Sequence, residues 1–253
     1  VIVVYARLKK QDSNKQPELI ALTFAENKIL PFPKVIVIAQ QKGFFRDQGL
    51  EVKTVSFTSG KEALNAMLAN DAQIAEAAET PLVFLGFTDQ SVQIFTNVTK
   101  GYNNKILARK DRGINSPSDL KGKKIAAPKG TSAEFALNEF LRVNQLSMKD
   151  IEYINLTPLA MPNALAKGEI DAYAIWEPHI NTGQKLFGNN AIVFPIETSV
   201  YENSFSYVAK RGWLNNNPET VKKFLQAVIQ TEKYITEHPD ESLKISADYM
   251  GLD

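Results

Sequence analysis

The stretch PKVIVIAQQKGFFRDQGLEVKTVSF, Pro33 to Phe57, decides how the rest of the chain is read. Pro33 sits where a first helical turn tolerates it, the apolar residues that follow suit a buried helix to Gln48, and Gly49 supplies the stop. Leu50 to Phe57 then reads as a strand. With a strand over Leu19 to Phe24 ahead of it, this is a strand–helix–strand unit, which calls for a parallel pair of strands covered by a helix.

The same grammar continues outward. Ser59 caps a helix through Leu68, Ala72 to Ala77 is a strand of small residues, Thr80-Pro81 opens a helix, and Val92 to Val98 is strand-like. Gly101-Tyr102-Asn103-Asn104 is a polar break. A second series follows: a strand over Lys105 to Arg109, a short capped helix at Ser116-Pro117-Ser118-Asp119-Leu120, a strand over Lys124 to Ala127, and a helix over Thr131 to Val143 with Phe135, Leu137, Phe140 and Leu141 at helical spacing. Then come a strand over Ile151 to Leu156, a helix over Met161 to Lys167 stopped by Gly168, and a buried strand over Ile170 to Ile175. A helix over Pro178 to Phe187 and strands over Ile192 to Ile196 and Phe205 to Ala209 follow. The helices Pro218 to Glu237 and Asp240 to Met250 end the chain, with Val221, Phe224, Leu225, Val228 and Ile229 as a docking face. Alternating strands and helices specify an α/β fold. Two similar series joined at Gly101 to Asn104 and again at Glu197 to Ser204 suggest two lobes, 18–100 plus 204–253 and 101–203, with two crossings, a hinge and a cleft.

Composition removes several classes of function. The chain has 253 residues, 29 Lys plus Arg against 28 Asp plus Glu, and no cysteine. Net charge near zero offers no field for nucleic acid or an anionic membrane. Without cysteine there is no disulfide, thiolate catalysis, iron–sulfur cluster or Cys-ligated zinc. His179 and His238 lie in different predicted helices, so no His pair for a metal arises, and no metal or cofactor is expected. Gly122-Lys123-Lys124 lacks the upstream glycine and the hydroxyl of a phosphate loop. Gly130-Thr131-Ser132-Ala133-Glu134 has a glutamate where a nucleophile elbow needs its second glycine. The opening Val1-Ile2-Val3-Val4-Tyr5-Ala6, followed by Arg7, Lys9 and Lys10, is too short to span a bilayer. It reads as the trimmed end of a signal sequence or membrane anchor, with Gln11 to Pro17 as a tether, or equally as an added edge strand.

Ligands of open α/β sheets lie beyond the carboxyl ends of strands, at helix N-termini. That points to Gly130, Thr131 and Ser132 with Glu134, where a capping box would by itself explain the pattern. It points also to Trp176 and Glu177, for which core packing and a favourable helix-dipole charge are the plainer roles. The loop Ala25 to Pro33 offers Glu26, Asn27 and Phe32, or is merely solvated. Ser59-Gly60-Lys61 and Glu79-Thr80-Pro81 are further helix openings, and Tyr102 sits at the first crossing; each serves as cap or hinge before it serves as a contact.

These residues carry a resemblance. Gln41-Lys42-Gly43-Phe44-Phe45-Arg46-Asp47-Gln48-Gly49-Leu50-Glu51-Val52 resembles a stretch of sulfonate-, nitrate-, taurine- and thiamine-precursor-type solute-binding proteins. Ser59-Gly60, Leu107 to Asp111, Ser116 to Lys124, Lys129 to Ser132, Ala166 to Ala172 and Trp176-Glu177-Pro178 follow in that family's order. The resemblance implies a two-lobe periplasmic-binding-protein type II fold, with Glu26 to Phe32, Ser59 to Lys61, Gly130 to Ser132 and Trp176 to Pro178 around the ligand. It further implies a monomeric, extracytoplasmic, non-enzymatic protein that hands a small solute to an ABC permease. A sensing domain of a membrane-anchored receptor with a signalling module is the alternative, and a thiamine-pyrimidine synthase-like enzyme, which would use pyridoxal phosphate and a cysteine-rich motif, a remote one. The chain departs from the family at Ala72-Gln73-Ile74-Ala75, at Glu134, and in stopping at Asp253. None of Arg7, Arg46, Arg109, Arg112, Arg142 and Arg211 falls in a predicted cleft loop, whereas Glu26, Glu79, Glu134, Glu177 and Glu202 lie near Phe32, Tyr102, Phe135 and Trp176. Acids beside aromatics favour a nitrogenous solute, an amine or a pyrimidine-like ring, with sulfonate or taurine next.

Overall fold

The computed structural model describes residues 18–28, 34–101, 104–197 and 199–251. What the sequence suggested for residues 1–17, for Phe32 and for Tyr102 lies outside them. The chain is a mixed α/β protein with two five-stranded sheets. In chain order its elements are β1 (Ile20–Asn27), α1 (Val35–Lys42), α2 (Phe44–Asp47), β2 (Leu50–Phe57), α3 (Gly60–Leu68), β3 (Ile74–Ala78), α4 (Glu79–Gly86) and β4 (Val92–Gly101). Next come β5 (Asn104–Arg109), β6 (Lys124–Ala127), α5 (Ser132–Val143), β7 (Glu152–Asn155), α6 (Met161–Lys167), β8 (Ala172–Trp176), α7 (His179–Phe187) and β9 (Ala191–Pro195). The last are β10 (Asn203–Lys210), α8 (Arg211–Asn216), α9 (Pro218–Glu237) and α10 (Pro239–Met250).

One sheet has the order β2-β1-β3-β10-β4 and the other β7-β6-β8-β5-β9. The chain passes from the first sheet to the second between Gly101 and Asn104 and returns between Pro195 and Asn203. In each sheet the strand that arrives from the other one, β10 or β5, lies antiparallel between the third parallel strand and an edge strand. Two copies of one topology, two crossings and mixed sheets make this a periplasmic-binding-protein fold of type II. Strands β1 and β3, and likewise β6 and β8, run parallel, so their carboxyl ends point the same way within each sheet.

By compactness the described chain divides into two units, one of residues 18–22, 34–53 and 216–251 and the other of residues 23–28, 54–101, 104–197 and 199–215. In the first, α9 packs on α1, α2 and α10. The Phe45 and Phe224 rings stack with centroids 5.4 Å apart, and Val37, Ile38 and Ile245 form an apolar cluster. The buried stripe of α9 is Thr220, Phe224, Ala227, Val228 and Thr231. Ile229, expected on the docking face, is 64% exposed, because it falls outside the arc that a 3.6-residue period assigns to Phe224 and Val228. The expected helix from Pro33 to Gln48 breaks at Gly43, whose φ of 80° ends α1 in the left-handed conformation that glycine adopts without strain.

In the second unit, Ala25, Ala75 and Ala77 pack with Ala63, Leu64, Ala66 and Met67 of α3. Around the second sheet, Ile106, Ile125, Ala127, Leu137, Leu141 and Ala174 form one cluster and Leu107, Met161, Leu165, Tyr173, Ile175 and Trp176 another. Each large side chain fully withdrawn from water contributes about 1.5–3 kcal/mol. No helix among the described residues is long and apolar enough to cross a membrane.

Candidate functional site

β1 extends to Asn27, so Glu26 and Asn27, expected in a loop, are the last two residues of a strand, and both are buried. Ser59 caps α3, its hydroxyl accepting from the Glu62 N–H at 3.3 Å, while the Glu62 carboxylate accepts from the Thr58 N–H at 2.9 Å and the Thr58 hydroxyl at 2.7 Å. These bonds hold the first turn so that the amides of Gly60 and Lys61, which no helical carbonyl can reach, face outward from the helix end. A Cβ on Gly60 would lie 3.3 Å from the Ala77 Cα and 3.4 Å from the Glu76 carbonyl oxygen. The helix end therefore rests directly on β3, and a strand of alanines beneath it leaves the space.

After β6 the chain turns at Gly130, with φ of 72°. Thr131 precedes the first turn of α5, but the expected Thr131–Glu134 capping box does not form. The Thr131 hydroxyl donates to the Pro128 carbonyl at 2.7 Å, and the Glu134 carboxylate accepts from the Gly130 N–H at 2.7 Å. The loop is fixed by bonds one residue earlier than the box requires.

These ends enclose a cavity lined by Asn27, Ser59, Gly60, Lys61, Glu76, Ala77, Ala78, Pro81, Thr131, Ser132, Trp176 and Phe205. It lies at the carboxyl ends of β1, β3, β6 and β8, where open sheets bind ligands. About 20 Å³ of it is accessible to the centre of a water molecule, room for a water or two. Of the residues singled out in the sequence, Asn27, Ser59, Gly60, Lys61, Pro81, Thr131, Ser132 and Trp176 line it. Trp176 is 4% exposed, and its Nε1–H has no hydrogen-bond partner among the described residues. Such a buried donor is costly unless something completes it.

The acids do not converge on this cavity. Glu79 Oε1 accepts from the Tyr201 hydroxyl and the Thr80 hydroxyl, and its Oε2 accepts from the Ser204 N–H at 2.7 Å. Glu177 pairs with Lys105 at 2.7 Å and accepts from the Asn181 N–H at 3.1 Å in the first turn of α7. Glu134 is held by Gly130, Glu202 pairs with Lys100 at 3.9 Å, and Glu26 accepts from the Ser56 hydroxyl at 3.2 Å. Thr80 is within 3.0 Å of the Tyr201 hydroxyl and outside the cavity lining. Glu76 contributes its backbone to the wall: Ala75 and Ala77 face α3, so strand alternation sends the Glu76 side chain to the opposite face.

A second polar centre joins the crossings. Asn203 donates to the Tyr201 hydroxyl at 3.2 Å, Asn104 donates to Asn203 at 2.8 Å, and the Phe135 ring meets Tyr201 edge-on at 5.1 Å. Burial, and then the carboxylate of Glu79, push the Tyr201 hydroxyl well above the usual tyrosine range. Tyr173, whose hydroxyl donates to the His179 carbonyl at 3.1 Å, is raised by burial and by Glu177 nearby. Burial lowers His179 against the pull of Glu177. No group of three or more metal-ligating side chains occurs among the described residues.

Sequence reasoning missed Glu76, Ala77, Ala78 and Phe205 as wall and Tyr201 as hub. The one available signal for β3 was its run of alanines, which implies that a backbone comes close.

The family model described as "NMT1/THI5 like" matches residues 34–242. The chain is 28% identical over 225 residues to a putative binding protein of Brucella abortus (strain 2308), covering 87% of this chain and 68% of that protein. It is 29% identical over 225 residues to a putative aliphatic sulfonates-binding protein of Bacillus subtilis (strain 168), covering 86% and 67%. Its fold is similar to that of the alkanesulfonate-binding protein SsuA from Xanthomonas axonopodis pv. citri bound to MOPS, with a TM-score of 0.76, 23% identity, and coverage of 94% and 82%. With strand order, cavity position and a family model over most of its length in agreement, the chain belongs to the NMT1/THI5-like family.

Proposed function

We propose that the chain is the solute-binding component of an ABC import system, a binder and not a catalyst, working outside the cytoplasm as a monomer that delivers a small organic anion of the sulfonate class to a permease. The two sheets are the cores of two lobes, 18–100 plus 204–253 and 101–203, that close on the solute. The observation that carries this reading is the unpartnered indole N–H of buried Trp176 in a cavity edged by the first turns of α3 and α5. Backbone amides at two helix ends, the Ser59 and Ser132 hydroxyls nearby and one indole N–H are donors, and donors around a cavity select an acceptor-rich, negatively charged group. The sulfonate-binding names among the relatives agree with that selection.

The same geometry weakens the reading of a nitrogenous solute, whose acids are held by protein partners. The test is calorimetry and thermal unfolding of refolded protein with methanesulfonate, taurine, nitrate, an alkylamine and a pyrimidine. A hundredfold excess over the dissociation constant stabilises by about 2.7 kcal/mol, a rise of roughly 5–11 °C for a protein of this size. Saturable stabilisation by a sulfonate alone is expected; stabilisation only by the amine or the pyrimidine overturns the anionic assignment.

A further inference from the structure

We propose that Lys61 is the cationic partner of the solute and a movable partition between the cavity and the space a solute needs; this rests on the solute-binding reading above. Lys61 reaches from the first turn of α3 to the loop after β6, its ammonium donating to the Lys129 carbonyl at 2.8 Å. It lies so closely over that loop that a Cβ on Gly130 would sit 2.7 Å from the Nζ. Among the described residues it pairs with no carboxylate.

Lys61 is also a wall common to three hollows. On one side is the cavity with Trp176. On another is a groove of about 460 Å³ that includes Leu64, Leu68, Phe84 and Leu85. On the third is a hollow of about 250 Å³ that includes Asn155 and Thr157. The cavity alone holds a water or two, and an organosulfonate does not fit there. The two larger hollows share Lys61 with the cavity as a lining residue, and its side chain turns about four single bonds on a flexible stem.

An ammonium that exchanges a neutral carbonyl for an anion keeps a charge-assisted hydrogen bond and adds the Coulomb attraction of an opposite charge. Lys61 therefore moves from the Lys129 carbonyl to the anionic group of the solute, and the cavity opens into the space beyond. The first-turn amides of α3 and α5 and the Trp176 N–H complete the same anionic group.

The test is Lys61→Met, with Lys61→Gln as a second neutral variant and Lys61→Arg to restore charge. Methanesulfonate and 1-butanesulfonate binding is measured by calorimetry at 20 and 300 mM salt, together with thermal unfolding of the unliganded proteins. The expected result is a loss of tenfold or more in affinity for both sulfonates in the Met and Gln variants. Lys61→Arg is expected within about threefold of wild type, with unliganded melting unchanged. The salt dependence of affinity should flatten when the charge is lost, which a merely structural role would not produce. Wild-type binding with Met and Gln variants within twofold overturns the assignment of Lys61 and leaves the solute-binding reading standing. Failure of the wild type to bind either sulfonate, beside saturable binding of another solute, overturns the sulfonate reading and Lys61 with it.

Discussion

Replacing Tyr201 by phenylalanine removes one oxygen from the centre of the crossing and leaves the ring that meets Phe135 in place. That oxygen donates to Glu79 Oε1, accepts from the Asn203 amide at 3.2 Å and lies 3.0 Å from the Thr80 hydroxyl. A hydrogen bond to a charged group contributes about 1.5–3 kcal/mol and a neutral one about 0.5–1.5. The carboxylate is not orphaned, because Thr80 and Ser204 still donate to it at 2.9 and 2.7 Å. Asn203, at 1% exposure, has no access to water to replace what it loses. The expected cost of Tyr201→Phe is therefore about 2–3 kcal/mol, toward the upper end of a single charged bond. For a chain of this size that lowers the melting temperature by roughly 4–12 °C. The assay is urea unfolding at pH 7, followed by a double-mutant cycle with Glu79→Gln. A coupling of about 1–2 kcal/mol between the two positions is expected, since residues in one network do not add. A loss below about 0.5 kcal/mol, or additivity within that error, would refute the claim that Tyr201 holds the crossing.

Trp176→Phe removes the indole N–H while keeping an aromatic ring, so sulfonate affinity should fall about 10–150-fold, the value of one hydrogen bond to a charged acceptor, as read by calorimetry. Gly183→Ala places a Cβ 2.0 Å from the Tyr173 hydroxyl oxygen and 2.8 Å from Leu107 Cδ1; overpacking of about 1–3 kcal/mol is expected in chemical denaturation, and a neutral result would mean that β8 and α7 yield easily. Tyr153, Tyr173 and Tyr201 are all raised by burial, so the folded state keeps protons that the unfolded state loses above pH 10. Stability is then fully present below pH 10 and falls as pH rises, by about 1.4 kcal/mol per pH unit for each of Tyr173 and Tyr201 while it stays protonated and by less for the more exposed Tyr153; absorbance at 295 nm should show Tyr173 and Tyr201 ionising only with unfolding.

Most of the architecture was legible because local patterns and the final packing agree. Gly49, Gly168 and Ser59 end or begin elements where the sequence placed those ends, since left-handed φ and a capping hydroxyl are local requirements. The break at Gly43 was missed because the apolar pattern on both sides, Ile36 to Ala39 and Phe45, stays helical and hides a change of direction. Helix α8, Arg211–Asn216, carries too little apolar pattern to be seen, with only Leu214 buried. For the site, the helix openings could be found because the strand–helix junction itself creates them. The roles of Glu79 and Glu177 could not, because their partners Tyr201, Ser204 and Lys105 arrive from distant parts of the chain.

A common rule explains why counting acids misjudged the charge of the cavity. Glu62 binds the Thr58 N–H, Glu134 the Gly130 N–H, Glu177 the Asn181 N–H and Glu79 the Ser204 N–H. Each is a carboxylate at or beside the start of a helix; the first three take up a backbone donor left over there, which stabilises the helix end, whereas Glu79 takes one from β10, and in all four the charge is spent within the fold. An acid in that position belongs to the framework. The donors that remain for a ligand are the ones these acids do not reach, and the charge they present is that of the first-turn residue that is not an acid. At the opening of α3 that residue is Lys61. On the proposed reading the preference of the site is set by one lysine among several glutamates, and the sign of a binding cavity is read from which charges lack a counter-charge in the fold.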